Sequence, residues 1–359
     1  MDALHPQTSE ADLSAELEAY LQAVHDGERR AAIAVALAAL DSGVTPERVI
    51  TDLLARAQEA IGLGWQQGLW CVALEHRASS ITESALHAVA DAAMRSPGAV
   101  PEGSRGRAVV ACTEGEWHVL PGRMASEVLR LRGADVSFFG PSVPATELAD
   151  ALGPSAPAAV AITCSMQMSL AGSWRTISAL RTLGMTIVCG GRGFGPHGRW
   201  GLALGADLWA PDFASGADLL MAALTQARPA PREPIGSVAV IEELRIATRD
   251  HQAIVESSTA TALAAWPYLR EVDAAVRATR EDLDSALRVI SAATITGDPA
   301  ILEDFAQWFE SVLAARDLPV AYCSSAFALL LESLPEDLPL MRAMAQRGLD
   351  ACTVAPLPM

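Results

Sequence analysis

The stretch Glu116-Trp117-His118-Val119-Leu120-Pro121-Gly122 decides how the middle of this chain folds. It follows the apolar run Ala108-Val109-Val110-Ala111-Cys112 and precedes an amphipathic helical run over 124–132. Such a run reads as a buried strand. The loop leaving the first strand of an α/β sheet lies at the edge where these sheets bind ligands. A carboxylate two positions before a histidine can hold one ring nitrogen and leave the other for a metal. Glu116 and His118 therefore suit a metal centre; the plainer alternative is an ordinary loop histidine.

The pattern around this stretch is regular. Strand-like runs at 108–112, 136–139, 158–164, 186–189 and near 208–209 alternate with helical runs at 124–132, 145–152, 174–183 and 217–227. Gly133 and Gly184 stop their helices. The alternation predicts a five-stranded, doubly wound, Rossmann-like α/β domain over 105–227. Three features fall at the carboxyl ends of its strands: the His118 loop, the stretch 163–169 with Thr163, Ser165 and Ser169, and Gly190-Gly191. The hydroxyls suit hydrogen bonds to a polar ligand tail, and the glycines let backbone approach it. Ser169 could instead cap the next helix. The run Gly191-Arg192-Gly193-Phe194-Gly195 follows the fourth strand and has no acidic residue at nucleotide-motif spacing, so a dinucleotide site is discounted.

Helical segments flank this domain. Residues 1–96 carry helical runs at 13–24, 29–40, 46–65 and 72–94, which predict a four-helix cap bundle. Thr45-Pro46 reads as a helix start. Trp65 closes one helix and Glu75-His76 open the next, so all three belong to the same end of the bundle. After linkers at 96–104 and 228–234, residues 237–359 predict an all-helical C-terminal domain. Its runs are 238–257, 260–278, 281–293, 299–316, 324–333 and 338–348. That domain offers His251, Trp266, Tyr268, Trp308 and Tyr322, with Arg245, Arg249 and Arg270. These residue types suit a pocket for a planar chromophore whose carboxylates pair with arginine. They equally suit an aromatic core or a dimerisation domain.

Composition narrows the function classes. The formal net charge of −17 argues against a nucleic-acid partner and against adsorption to anionic membranes. Every basic residue is arginine, so lysine Schiff-base chemistry is excluded. The six cysteines are scattered without a Cys-x-x-Cys pair, several within apolar runs, and read as reduced core thiols of a cytoplasmic protein. The N-terminus does not resemble a signal peptide, and no apolar run is long enough to span a bilayer.

Taken in order, a helical cap, Trp-x9-Glu-His, Glu-x-His at the first strand end, Ser/Thr and then Gly-Gly resemble cobalamin-binding modules of the light-sensing type. The resemblance covers roughly residues 13 to 227. It implies that His118 is the lower ligand of cobalt, with Glu116 behind it and Trp117 alongside. It places Thr163, Ser165 and Ser169 in the pocket for the displaced nucleotide tail and Gly190 and Gly191 in its wall. Trp65, Glu75 and His76 then cover an upper adenosyl group. A further helical domain resembles the photocobilins, which implies biliverdin in the C-terminal domain, near His251, Trp266, Tyr268, Trp308 and Tyr322.

The sequence departs from that family twice. The family glycine three residues after histidine is Pro121 here, with glycine following at 122. The neighbour of the cap tryptophan is Gln66 rather than a histidine. The reading is a light sensor that binds adenosylcobalamin between cap and α/β domain, is not itself an enzyme, and signals through a change in homo-oligomer assembly or an unknown partner. The alternatives are a corrinoid carrier of a methyltransferase system and a haem-type tetrapyrrole sensor using His118 or His251.

Overall fold

The computed structural model describes residues 12–97, 99–153 and 156–358. Parts of the expected cap (1–11), Gly98 of the first linker and Met359 fall outside them. The described chain separates into two compact units, 1–106 with 123–136, and 107–122 with 137–359.

The first unit contains the cap. Its helices are α1 (Ser14–Asp26), α2 (Arg29–Asp41), α3 (Pro46–Arg48), α4 (Ala55–Gln66) and α5 (Val72–Met94). A π-helical turn, Val49–Leu54, joins α3 to α4 and buries Val49, Ile50, Leu53 and Leu54. Thr45 caps as its sequence suggests, its hydroxyl accepting from the Arg48 amide at 3.3 Å. Tyr20, Ile61, Ala85, Leu86 and Val89 complete the core. Residues 123–136 group with these helices; Arg123 pairs with Glu83 at 2.9 Å, and the Arg132 guanidinium binds both oxygens of Glu47.

The five-stranded parallel sheet runs in the order β2-β1-β3-β4-β5. Its strands are β1 (Arg107–Cys112), β2 (Asp135–Phe139), β3 (Ala159–Thr163), β4 (Thr186–Gly190) and β5 (Leu208–Ala210). Helices α6 (Leu120–Leu131), α7 (Ala145–Leu152), α8 (Leu170–Thr182), α9 (Arg199–Ala203) and α10 (Phe213–Leu224) alternate with them. This is the doubly wound architecture that the sequence predicts. The chain reverses direction across the sheet between β1 and β3, and that switch point opens a crevice at the strands' carboxyl ends.

The C-terminal domain is all-helical, as expected, but its first boundaries differ. A single helix, α11 (Val238–Ala265), runs through the break predicted at 258–259 and ends within the predicted helix 260–278. The Ser258 and Thr259 hydroxyls donate back to the Ile254 and Val255 carbonyls and so stay inside the helix. The break comes at Pro267, which has no amide hydrogen and pushes Trp266 out of helical geometry. Helix α12 (Asp273–Thr296) then runs through the predicted gap at 279–280. It is followed by α13 (Ala300–Ala314), α14 (Ala321–Ser333) and α15 (Pro339–Ala351).

In the second unit the sheet and these helices share one buried apolar core, from Val109 and Ile162 through Leu244 and Ile290 to Phe327 and Met341. No helix of the described residues is long and apolar enough to cross a membrane.

Backbone contact sets one residue type in this unit. A Cβ on Gly172, early in α8, would stand 1.7 Å from the Glu114 carbonyl oxygen. Gly172→Ala should therefore destabilise the protein by at least ~1–3 kcal/mol, as overpacking does. Gly62→Ala, in α4 with nothing within 4 Å of the new carbon, should be neutral or stabilising by about 0.5–1 kcal/mol. Chemical unfolding of both variants checks the contrast, and equal effects would refute it.

Candidate functional site

The loop after β1 turns through Thr113, whose carbonyl accepts from the Glu116 amide at 2.9 Å. Its neighbours brace it closely. The Gly115 amide donates to the Ser142 hydroxyl at 3.1 Å, and the Ser142 amide donates to the Glu116 carbonyl at 2.9 Å. Glu114 accepts from the Ala145 amide at 3.0 Å and pairs with Arg175 at 2.8 Å, while the Glu114 amide donates to the Thr176 hydroxyl at 3.0 Å. These partners fix the backbone from which Glu116 points inward.

Glu116 is 1% exposed, yet its carboxylate is well supplied with donors. Oε1 accepts from the His118 amide at 2.8 Å and bonds His118 Nδ1 at 2.6 Å; Oε2 accepts from the Ser165 amide at 2.6 Å. Burial alone would raise this carboxyl's pKa. The His118 ring and the two amides outweigh burial and hold it below the ordinary carboxylate value. Glu116 thus keeps the Nδ1 proton, which leaves the lone pair on Nε2, the nitrogen a metal would take. The His118 side chain is 58% exposed at the switch point, and Trp117 beside it is 72% exposed. A half-exposed imidazole with its tautomer set by a buried carboxylate fits an axial ligand of a corrinoid cobalt.

The other expected residues fall around this loop in different ways. Thr163 is buried, and its hydroxyl lies 3.6 Å from Cys112 Sγ. Ser165 contributes the amide that Glu116 receives. Ser169 does not cap α8: its hydroxyl donates to the Gly115 carbonyl at 3.3 Å, so the capping alternative is incorrect. Helix α8 is instead preceded by a 3-10 turn, Gln167–Ser169, and Ser169 is drawn toward the β1 loop. Gly190 has room beside it. Gly191, at φ +108°, brings the chain so near β3 that a Cβ would stand 2.3 Å from the Cys164 carbonyl oxygen. The structure therefore brings Glu116, His118, Thr163, Ser165, Ser169, Gly190 and Gly191 to one end of the sheet. Sequence reasoning missed Glu114, Ser142, Arg175 and Thr176, which carry no motif and show their role only through the loop they hold.

In the cap unit, Glu75 and His76 form a pair at 2.5 Å, and Glu75 also accepts from the Ser79 hydroxyl at 2.7 Å. The His76 side chain is 74% exposed, and Trp65 is half-buried at the end of α4. Leu63, Leu69 and Val72, near Trp65 and Glu75 in sequence, are exposed.

Of the residues singled out in the C-terminal domain, His251 stands apart from Trp266 along α11. Trp266 is buried and donates to the Pro358 carbonyl at 3.0 Å; its ring meets Tyr322 edge-on, and the Tyr322 and Tyr268 hydroxyls bond at 3.0 Å. Trp308 packs with Phe305 and Phe309. His251 lies 15 residues before Trp266, roughly 22 Å along α11 at the helical rise. It pairs with Asp284 at 2.5 Å in a groove of about 370 Å³ lined also by Gln252, Arg280 and Glu281. Burial raises the Asp284 carboxyl, but hydrogen bonds from His251 and Arg288 outweigh it and hold its pKa at about 2.

Two family models match the chain: one B12 binding domain over residues 16–89 and a second B12 binding domain over residues 106–215. Among solved structures, the monomethylamine corrinoid protein of Methanosarcina barkeri aligns with 59% of this chain and 99% of its own, at 16% identity and TM-score 0.50. The methanol:cobalamin methyltransferase complex of the same organism aligns over 64% and 88%, at 18% identity and TM-score 0.32. A cobalamin-binding protein of Desulfitobacterium hafniense DCB-2 aligns over 58% and 98%, at 19% identity and TM-score 0.32. No curated protein matches the chain.

Two measurements test the site. Glu116→Gln should weaken corrinoid binding by ~10–100-fold, the usual loss when a metal-bound histidine loses its outer partner. Spectrophotometric titration reads this, and an unchanged affinity would show that Glu116 does not set the imidazole. In the C-terminal domain, the folded pKa of Asp284 is depressed, so its contribution to stability is fully present above pH 3.8 and is lost as pH falls through about 2. The stability gap between the wild type and Asp284→Asn should close over that window, and a gap that closed near neutral pH would contradict the assignment. With a helical B12 binding domain over 16–89 followed by an α/β B12 binding domain over 106–215, the chain is a cobalamin-binding protein.

Proposed function

We propose that this protein is a light sensor built on adenosylcobalamin. The observation that carries the corrinoid part is the Glu116–His118 pair, a buried carboxylate that fixes the tautomer of an exposed imidazole. His118 is the lower axial ligand in this reading. Thr163, Ser165, Ser169, Gly190 and Gly191 receive the nucleotide tail, with Thr163 and Ser169 exchanging their internal partners for it. Two features support sensing. The cap carries Trp65 and the Glu75–His76 pair, suited to cover an adenosyl group. A helical domain also follows the α/β domain, whereas the aligned corrinoid protein is 99% covered by 59% of this chain. Adenosylcobalamin supplies, when bound, a cobalt–carbon bond that light cleaves; the protein transmits the change through homo-oligomer assembly.

The same proposal places biliverdin in the C-terminal domain, next to Trp266, Tyr268 and Tyr322, whose rings and paired hydroxyls suit a planar, polar-edged chromophore. His251 lies at a separate position along α11 and would contribute only at the edge of such a site, while Trp308 packs with Phe305 and Phe309.

A second reading, a corrinoid carrier of a methyltransferase system, draws on the fold shared with the monomethylamine corrinoid protein. One experiment separates the two. The full chain is loaded with adenosylcobalamin or methylcobalamin, and absorption and oligomeric state are recorded in the dark and after green light. Sensing predicts retention of the adenosyl form, a lasting spectral change and a shift in assembly. Retention of methylcobalamin alone, without a change in assembly, favours the carrier, and failure to bind either corrinoid overturns both. His118→Ala should bind at least ~10-fold more weakly, since it removes the ligand itself. Co-expression with a biliverdin source should add far-red absorption that Trp266→Ala and Tyr322→Phe alter; a band insensitive to both would refute the bilin placement.

A further inference from the structure

The C-terminal domain holds a second cluster of metal-ligating side chains, outside the corrinoid site. Cys323 opens α14, Cys352 follows α15, and Glu310 lies on α13, so three separate elements bring these residues together. Their ligand atoms all lie within 4.8 Å of one another. Cys323 is fully buried, Glu310 is 7% exposed and Cys352 is half-buried.

The two sulfurs are 3.5 Å apart. Two thiolates on one zinc, each at about 2.3 Å, stand roughly 3.8 Å apart in a tetrahedron. A disulfide requires about 2.05 Å. The observed separation therefore lies within a few tenths of an ångström of the shared-metal arrangement. Thr353, next to Cys352, holds the third group: its amide and hydroxyl each donate to Glu310 at 2.8 Å, one to each oxygen. A ligating carboxylate braced by hydrogen bonds is the usual outer arrangement of a metal site.

We propose that Cys323, Cys352 and Glu310 form a site for a divalent cation of the zinc class, with a water completing the tetrahedron. Two thiolates and one carboxylate more than balance the charge of such an ion and suit its softness better than that of magnesium or calcium. The ion would fasten the chain after α15 to α13 and α14. That same segment reaches Trp266 through Pro358 and Ser325 through the Leu357 amide.

The test uses the full chain, corrinoid-free and reduced, incubated with Zn²⁺ and then passed through a desalting column. About one Zn²⁺ per chain should be retained. Co²⁺ in its place should give thiolate-to-metal charge-transfer absorption in the near ultraviolet. Cys352→Ser should lose that absorption, Glu310→Gln should weaken retention, and Cys71→Ser, which alters an exposed thiol, should leave both unchanged. Absence of zinc from the reduced wild type overturns the proposal, and so does a charge-transfer band that persists in Cys352→Ser. If that variant fails to fold, thiol reactivity of the wild type decides: bound Zn²⁺ must protect two thiols per chain, and equal reactivity with and without the metal refutes the site.

Discussion

The site depends on one buried charge. Glu116 has almost no contact with water, and its carboxylate receives three N–H groups, two from His118 and one from the backbone beyond β3. Each such charge-assisted bond contributes about 1.5–3 kcal/mol, while an ionised carboxylate buried without them would be untenable. The charge therefore does two things at once. It closes the β1 loop on the β3 loop across the switch point of the sheet, and it orients the only imidazole in that crevice's first loop. Removing it would loosen two loops and release the histidine tautomer together.

The C-terminal helices are not an independent appendage to that loop. Within the second unit, Arg199 and the Trp200 indole both bind Asp298, and Gln167, in the turn before α8, binds Asp304. The Arg288 guanidinium of α12 lies beside Gly115, one residue before Glu116, and Arg288 also binds Asp284, the partner of His251. A polar chain thus runs from the groove at His251 through Asp284 to Arg288, which stands beside the loop that carries His118. Continuous packing over a shared apolar core makes the α/β domain and the helical domain one body by contact, although their sequences read as two.

Much of this was legible in the residues. Short apolar runs alternating with helical runs that end at Gly133 and Gly184 mark the strands and helices of the α/β domain, because these glycines adopt positive φ where the helices stop. Glu116 and His118 stood out because their spacing has a chemical reason. The parts that were not legible share a physical cause. Ser258 and Thr259 fall between two predicted helices, yet their hydroxyls bond back along α11 and keep it continuous. Ser169 looks like a cap until the β1 loop claims its hydroxyl. In both cases a short polar side chain has two competing partners, and tertiary context chooses between them. Cys323 and Cys352 are 29 residues apart, and only the meeting of α14 with the end of α15 makes them neighbours.

Pro121 shows why a shifted motif can still present the same histidine. Helix α6 begins at Leu120, so Pro121 occupies its first turn, where a missing amide hydrogen costs nothing and the fixed φ is favourable. Gly122 then takes the tight position: a Cβ there would stand 2.8 Å from the Phe138 ring and 3.4 Å from Cys112 Sγ. The glycine requirement belongs to the packing of the helix start on the sheet, not to the histidine. His118 is set from the other side, by Glu116 upstream, two residues before the helix begins. Displacing the glycine by one residue moves the helix start relative to the loop but leaves the carboxylate clamp intact, so the imidazole keeps its tautomer and its place at the switch point.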